Sequence, residues 1–455
     1  MPESTASSAA GGTGIGNRKL PIPCGGALSD KFKFNKEILL ESGQVDNVEM
    51  YSRPTGSVDA NPLTFHVEPI GDTFLQSESC YFWVRCRILK ADGSDVDSTD
   101  KFGVVSAFGL SFFKNLKILL NGFELSPSSE NDMPYKNYLE TILSYDTSQN
   151  NTFLSSSIYE LDDLNHLECT SPDVGADTAD KPTAFINRYN RVKDSKPFDF
   201  TMPLCCDFFR ADAHLAPANK ITIVATRESS NFLIQSSTAG TGGYKIKVDD
   251  IKLCYNRIRL DPTLTNKILG KPCQYLTVQT HLKKYALPSG ITTYRTELYN
   301  GILPRQVIIG QVLTSAAQGD YEKNPFNFQP FDVSRVSLSK NGVIMPPGSL
   351  TPSFSENLYA RSYNHMLMNS AFHRTDRTTS ISYERYPRGS AFFVYDLTQD
   401  FCSSADLHKA TNGSLELELE WSKALPSNIT IVVYAAFNCR YVTESISQPS
   451  LFELI

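Results

Sequence analysis

The stretch Phe113–Ser128 (FKNLKILLNGFELSPS) has a counterpart later in the chain, Val333–Gly348 (VSRVSLSKNGVIMPPG). Each copy reads as an apolar strand, an Asn-Gly turn, a short second strand and a stretch with proline. Asn-Gly between two strand-like runs is a strong hairpin signal, because a type I′ turn needs positive φ angles at both central residues. The predicted turn markers are therefore Asn121, Gly122, Asn341 and Gly342.

Three further features follow both hairpins in the same order. They are a helical pattern (Met133–Leu143 and Asn357–Leu367), an aromatic strand (Phe198–Leu204 and Phe392–Leu397) and a segment ending in Ile-Thr-Ile-Val (Leu215–Val224 and Leu425–Val432). Asn-Gly also occurs at residues 300–301 and 412–413, so the order of the four features carries the argument. Chance matches in a β-rich chain are the alternative. The shared order favours two copies of one β-rich domain.

The composition fits this duplication. A chain of 455 residues is longer than one ordinary core, and two domains of about 200 residues each match the usual size. We predict an N-terminal arm at residues 1–29, domains at 30–260 and 270–440, and a C-terminal tail at 441–455. The segment from Asp261 to Pro272 carries two prolines and is the predicted boundary, with room for a short helix from Thr263 to Leu269.

Each predicted domain offers about eight short strands and one excursion that contains a helix, which is the pattern of a jelly roll. Ser414–Trp421 alternates apolar and polar residues without a break, as a half-buried antiparallel strand does. The predicted fold class is all-β, with two tandem eight-stranded antiparallel jelly rolls and short helices in the loops. A metal-binding cupin is disfavoured, because the seven histidines do not form a His-x-His pattern.

Charge and hydropathy exclude several classes of protein. The net charge is −6 without a block of like charge, so the sequence lacks the basic footprint of nucleic-acid binding. There is no apolar run long enough to span a membrane, and the N-terminus does not resemble a signal peptide. The ten scattered cysteines mostly lie among apolar residues, and we predict buried, reduced thiols.

The sequence contains no complete catalytic, metal or cofactor constellation. Asp162 and Asp163 with His166 could suggest a metal cluster, but no further ligand is evident nearby. Cys205-Cys206 lies in an apolar strand context, which favours buried thiols over a nucleophile. Ser155–Leu164 could form a short helix. We expect the surrounding polar stretch, residues 146–180, to be a loop that a neighbouring chain orders, because it is too long for a simple connector.

Several motifs resemble the capsid-type proteins of Polinton (Maverick) elements and related adintoviruses. They are Ile118–Pro127 with Pro134–Leu143 in the first half, and Tyr299–Gly310, Lys323–Phe331, Phe393–Thr398 and Gly413–Phe437 in the second. The resemblance covers most of residues 60–437. It implies the double jelly-roll, hexon-like major capsid protein of that family, since the minor penton protein has a single jelly roll and this chain is duplicated.

The resemblance implies a structural role. Three chains would close into a homotrimeric capsomer with a pseudo-hexagonal outline, and capsomers would build an icosahedral shell around a DNA genome. The expected partners are the chain itself, neighbouring capsomers and a penton or minor capsid protein, without sequence-specific nucleic-acid binding. The expected place is the virion, after synthesis in the host cytoplasm and assembly there or in the nucleus. The alternatives are a minor capsid or spike protein and a carbohydrate-binding module; an enzyme is not expected.

Overall fold

The computed structural model describes residues 43–454, apart from 98, 126–131, 175–179, 205–206, 212, 218, 238–242, 270–271, 371–377, 399–408 and 446–447. The predicted N-terminal arm at residues 1–29 therefore lies outside the described residues. Cys205 and Cys206 lie outside them as well.

Two four-stranded antiparallel sheets form the first jelly roll. Sheet 1 has the order β1 (Gln44–Ser52), β10 (Tyr244–Leu260), β3 (Thr73–Lys90), β7 (Phe198–Pro203). Sheet 2 has the order β2 (Leu63–Val67), β8 (Ile221–Arg227), β5 (Phe113–Leu120), β6 (Phe123–Glu124). Two short strands, β4 (Phe102–Val104) and β9 (Ile234–Ser236), pair separately.

The second jelly roll repeats this arrangement strand by strand. Sheet 3 has the order β11 (Cys273–Leu287), β18 (Ile429–Ser445), β13 (Gln306–Leu313), β16 (Phe392–Asp396). Sheet 4 has the order β12 (Thr293–Ile302), β17 (Asn412–Trp421), β14 (Val333–Lys340), β15 (Val343–Leu350). The predicted all-β fold of two tandem jelly rolls is confirmed.

The helices are few and short. They are α1 (Met133–Ser144), α2 (Thr147–Asn150), α3 (Thr183–Val192), α4 (Ser230–Leu233), α5 (Pro262–Leu269), α6 (Thr314–Gln318) and α7 (Ala360–Asn369). The predicted helices near residues 133, 263 and 357 correspond to α1, α5 and α7. The helix expected at Ser155–Leu164 is wrong: a 3-10 turn, Phe153–Ser157, ends there because Ile158 takes a left-handed conformation with φ 51°.

The two Asn-Gly turns occupy equivalent positions, between β5 and β6 and between β14 and β15. Both residues of each turn have positive φ: 53° and 87° at Asn121-Gly122, and 52° and 79° at Asn341-Gly342. In each jelly roll the asparagine Oδ1 also accepts a hydrogen bond from a backbone N–H of the neighbouring segment of the same chain. The donor is Lys220 in the first jelly roll and Ser414 in the second, both at 2.8 Å. The turn thus fixes the neighbouring strand as well as the hairpin.

One of the four repeated features is not a true equivalence. Ile221–Val224 lies in β8, a strand of sheet 2, whereas Ile429–Val432 lies in β18, a strand of sheet 3. By strand order the counterpart of β8 is β17. The two segments look alike because both are buried strands with β-branched residues. The aromatic strands do correspond, as β7 and β16.

Connections alternate between two ends of each jelly roll, because the strands pair antiparallel. The loop end carries residues 53–62, 91–112, 125–197 and 228–243 in the first jelly roll and 288–292, 314–332, 351–391 and 422–428 in the second. The turn end carries the Asn-Gly turns, residues 204–220 and 397–411, and the linker 261–272. Because the linker joins turn end to turn end, the jelly rolls stand side by side with like ends together.

The expected C-terminal tail is largely strand. β18 continues to Ser445, and β19 (Gln448–Leu454) turns back to pair with it from Cys439 onward. β13 leaves this part of β18 uncovered, since its pairing stops at Ala436. A free strand edge exposes unpaired backbone groups, and β19 supplies their partners.

Candidate assembly surfaces

Helix α1 lies between the two jelly rolls. Ten of its twelve residues are buried. On the side of the second jelly roll, the hydroxyl of Tyr434 donates a hydrogen bond of 2.8 Å to Glu140, and Lys284 forms an ion pair of 2.6 Å with Asp132. Tyr434 and Lys284 both belong to sheet 3, so the outer face of that sheet is covered by a helix of the first jelly roll.

An aromatic cluster fills the remaining space at this seam. The phenylalanine-rich stretch before β14 places Phe326 on the ring of Tyr138, with stacked centroids 4.4 Å apart. Phe328 packs on Phe392 of sheet 3 at 4.8 Å. Gly310 of β13 leaves the room for Phe328, since a Cβ at this glycine would collide with the ring. The phenylalanine-rich stretch therefore packs against both jelly rolls and stabilises the contact between them.

Polar contacts tie the long loop of the first jelly roll to the second. Asn324 donates a hydrogen bond of 2.8 Å to the carboxylate of Asp162, and its backbone N–H donates one of 2.6 Å to Glu168. Arg385 donates one of 2.6 Å to the carbonyl of Asp162. These partners belong to the same chain, so contacts within the chain already hold the described part of the loop; that a neighbouring chain orders the loop further stays a prediction.

The acidic residues of this loop serve structure. Asp162 pairs with Arg188, a fully buried guanidinium that also bonds two backbone carbonyls. Asp163 accepts a hydrogen bond from the N–H of Ala184 at the start of α3, and His166 pairs with Asp180 at 3.2 Å. Across the described residues, no three candidate ligands form a metal-binding group.

The cysteines in the described part of the chain are free thiols. Cys80, Cys86, Cys169 and Cys439 are buried, whereas Cys254 and Cys273 are half-buried. Burial raises the pKa of Cys80 to about 12, against a smaller opposing effect of Arg257. A thiol with so high a pKa stays protonated and is a poor nucleophile.

Sheets 1 and 3 have the same strand order but different exposure. In sheet 3, β18 is buried on both faces from Ile429 to Cys439. In sheet 1, β3 alternates between buried and half-exposed residues from Cys80 to Ile88, so its outer face remains open. A strand covered on both sides reads as a continuous apolar run, and β18 has such a sequence.

Aromatic and basic side chains share the outer face of sheet 1. Lys252 lies 4.8 Å from the ring centroid of Trp83 and 5.1 Å from that of Tyr51. Arg85 covers Trp83 at 4.9 Å, and the indole N–H donates a hydrogen bond of 3.0 Å to Asp199. Tyr51 is 58% exposed. We call this surface, Tyr51 with Trp83, Arg85 and Lys252, the tryptophan face.

Helix α7 has the same place in the chain order of its jelly roll as α1, but the described residues cover it on one side only. Ser362, Met366 and Asn369 are buried, and α7 packs along β16. Arg361, Asn364 and Met368 are exposed at helical spacing. Leu358, just before the helix, is 65% exposed. We call these four residues the α7 stripe.

Sequence comparison gives one distant relative. An uncharacterized protein of Caenorhabditis elegans is 22% identical over 356 residues, which cover 76% of this chain and 80% of that protein. No family model matches the sequence.

Solved structures show the fold. A chain of the Sputnik virophage matches 96% of this chain and 94% of its own length, with a TM-score of 0.59 and 11% identity. The Faustovirus major capsid protein matches 90% of this chain and 92% of its own with a TM-score of 0.53 and 11% identity. The mavirus major capsid protein matches 95% of this chain and 96% of its own length, with a TM-score of 0.52 and 11% identity. This is the double jelly-roll fold of viral major capsid proteins.

Within the double jelly roll, sequence reasoning located the turns but missed both exposed surfaces. The signal for the tryptophan face was present, because Tyr81–Leu89 (YFWVRCRIL) alternates apolar residues with aromatic and basic ones. Among the described residues, no helix combines the length and hydropathy that crossing a membrane requires.

Proposed function

We propose that the chain is the major capsid protein of a Polinton (Maverick) element or a related adintovirus. It forms homotrimeric, pseudo-hexagonal capsomers that build an icosahedral shell around a DNA genome. The double jelly-roll fold and the sequence motifs support this function.

One observation carries the assembly proposal: the chain exposes both halves of an interface that it already forms internally. Inside the chain, sheet 3 of the second jelly roll receives α1 of the first. The tryptophan face is the equivalent surface of sheet 1, and the α7 stripe belongs to the helix equivalent to α1. A second copy that brings its α7 stripe to the tryptophan face would repeat the internal contact between chains.

Repetition of this contact closes a ring. Each chain contributes two jelly rolls, so three chains give six similar units around one axis. The interface is heterologous, because the α7 stripe of one chain meets the tryptophan face of the next. Aromatic residues with cations stacked on them are suited to such a surface, since they combine apolar area with directional contacts.

The same proposal assigns the remaining partners and places. The units of the ring are residues 30–260 and 270–440, and the edges of the capsomer contact neighbouring capsomers and a penton or minor capsid protein. The protein is made in the host cytoplasm and resides in the virion. Its role is structural, without a catalytic centre.

The test is the size of the purified protein in solution. Light scattering coupled to gel filtration should give three times the chain mass of 50.6 kDa, and negative-stain images should show a hexagonal outline. Trp83→Asp and Met368→Asp should each yield monomers, because each buries an unpaired charge in the interface. Phe123→Asp is the control: Phe123 is 54% exposed at the turn end, and this variant should remain trimeric. A monomeric wild-type protein would refute the proposal.

A further inference from the structure

A basic pocket opens at the turn end of the second jelly roll. Its cavity is about 160 Å³, and the side chains of Arg305, Lys340 and Lys409 line it together with Thr398, Thr411 and Asn438. The three cations come from three separate segments: the connection between β12 and β13, the end of β14, and the residues before β17. The pocket is thus assembled by the fold and is not a run of neighbouring basic residues.

The walls of the pocket are fixed by backbone hydrogen bonds. Arg305 donates its N–H to the carbonyl of Ala436 at 2.7 Å and accepts the N–H of Leu397 at 2.7 Å. Leu303 donates to the carbonyl of Thr411 at 2.9 Å. The backbone of Arg305 is therefore held at a defined place beside the cavity.

Within the described part of the chain, two cations of the pocket, Arg305 and Lys340, contact neutral groups. Arg305 reaches Asn438 at 3.4 Å, and Lys340 reaches the carbonyl of Leu397 at the same distance. The Nε of Arg305 is buried and has no hydrogen-bond partner among the residues that the structure describes. Among the described residues, none of the three cations forms an ion pair with an acid. Asp396, an acid of the described residues close to the pocket in the chain, accepts hydrogen bonds from the backbone N–H and the hydroxyl of Thr398.

The equivalent corner of the first jelly roll is neutralised internally. There Lys220, just before β8, forms an ion pair of 2.6 Å with Glu68 from the connection between β2 and β3. In the second jelly roll, the corresponding connection supplies Leu303, Pro304 and Arg305 instead of an acid. One corner carries its own counter-charge, and the other has three positive charges around a cavity.

We propose that this pocket binds a phosphate group. A tetrahedral oxyanion fits the cavity, and a guanidinium with two lysines is the set of donors that phosphate recognition uses. The side chains of Asn438 and Thr411 add neutral donors for the remaining oxygens. The group is either a free phosphate or one from a nucleic-acid backbone.

The experiment measures phosphate binding by calorimetry on the full-length chain, with inorganic phosphate titrated against chloride at equal ionic strength. Arg305→Gln, Lys340→Gln and Lys409→Gln should each lower the affinity at least tenfold. Lys409 is exposed, so Lys409→Gln tests the pocket without endangering the fold. Lys220→Gln, at the neutralised corner, is the matched control and should bind as the wild type does.

A second arm identifies the source of the phosphate. A fluorescent DNA duplex is titrated with the same proteins, and inorganic phosphate is added as competitor. Duplex binding that Lys409→Gln weakens and phosphate displaces assigns the pocket to nucleic acid; phosphate binding without duplex binding assigns it to the free ion. The proposal is overturned if the wild type binds no phosphate, or if the three pocket variants bind it as well as the wild type.

Discussion

At the scale of single residues, the two Asn-Gly turns show how one position can serve both a hairpin and its neighbour. Asn341 adopts φ 52° and at the same time bonds the N–H of Ser414. Its side chain occupies the space next to Gly413, where a Cβ would collide with it. The Asn341 side chain thus requires a glycine at position 413, although the pair Asn412-Gly413 forms no turn and lies in β17.

We expect Gly413→Ala to destabilise the protein by about 1–3 kcal/mol, because the added methyl group meets the Asn341 side chain. Asn341→Gly keeps the backbone conformation and loses only the hydrogen bond, for about 0.5–1.5 kcal/mol. In the double variant Gly413→Ala should cost much less than it does alone. Urea unfolding of all four proteins measures this coupling. If the losses in unfolding free energy of the two single variants simply add in the double variant, the collision between the added methyl group and Asn341 is not what destabilises Gly413→Ala.

A second residue-scale prediction concerns pH. Burial, with a smaller contribution from nearby Arg361, lowers the pKa of His365 from 6.5 to about 4. Between these values the unfolded chain binds a proton that the folded chain does not, so stability should fall as the pH drops from 6.5 towards 4. His365→Gln should show a weaker fall over this window. Measurements at pH 8, where neither state is protonated, isolate the packing effect of the substitution; an unchanged pH dependence would contradict the assignment.

At the scale of elements, local signals in the sequence identified hairpins and helices, while contacts between distant segments escaped it. The turns at Asn121 and Asn341 and the helix α1 follow from short-range patterns. The contacts that hold the loop around Asp162 could not be predicted, because Asn324 and Arg385, which make them, are about 160 and 220 residues away in the chain. The strand β19 was missed for the same reason, since its partner edge exists only once β18 is placed.

The phenylalanine-rich seam allows a test of coupling between the jelly rolls. Phe326→Ala should cost about 3–5 kcal/mol, because it empties a buried site between α1 and sheet 3. The chain has two tryptophans, Trp83 in the first jelly roll and Trp421 in the second, so Trp83→Phe and Trp421→Phe, each combined with Met368→Asp to keep all proteins monomeric, report on each unit separately. Their unfolding curves should coincide with Phe326 in place and separate in Phe326→Ala. Phe123→Ala, at an exposed site, should leave them coincident.

At the scale of the whole molecule, duplication explains both what is buried and what is exposed. One jelly roll covers sheet 3 of the other, and among the described residues no equivalent cover lies on the tryptophan face or the α7 stripe. In the proposed assembly, α1 and sheet 3 meet within the chain, and the α7 stripe and the tryptophan face meet between chains. Each added chain can then bind in one orientation only. Three chains close a ring of six jelly rolls if the contact between chains repeats the contact within the chain.

The direction of this contact can be tested by mixing variants. Trp83→Asp destroys the tryptophan face but keeps the α7 stripe, and Met368→Asp does the reverse. A mixture therefore retains one intact contact, from the α7 stripe of the first variant to the tryptophan face of the second. We expect a one-to-one heterodimer at high protein concentration and no trimer, because the free ends of this dimer both carry the substituted surface. Light scattering measures the mass. Recovery of trimers would mean that a single pair of surfaces suffices for closure, and the absence of any complex would mean that these two surfaces do not meet.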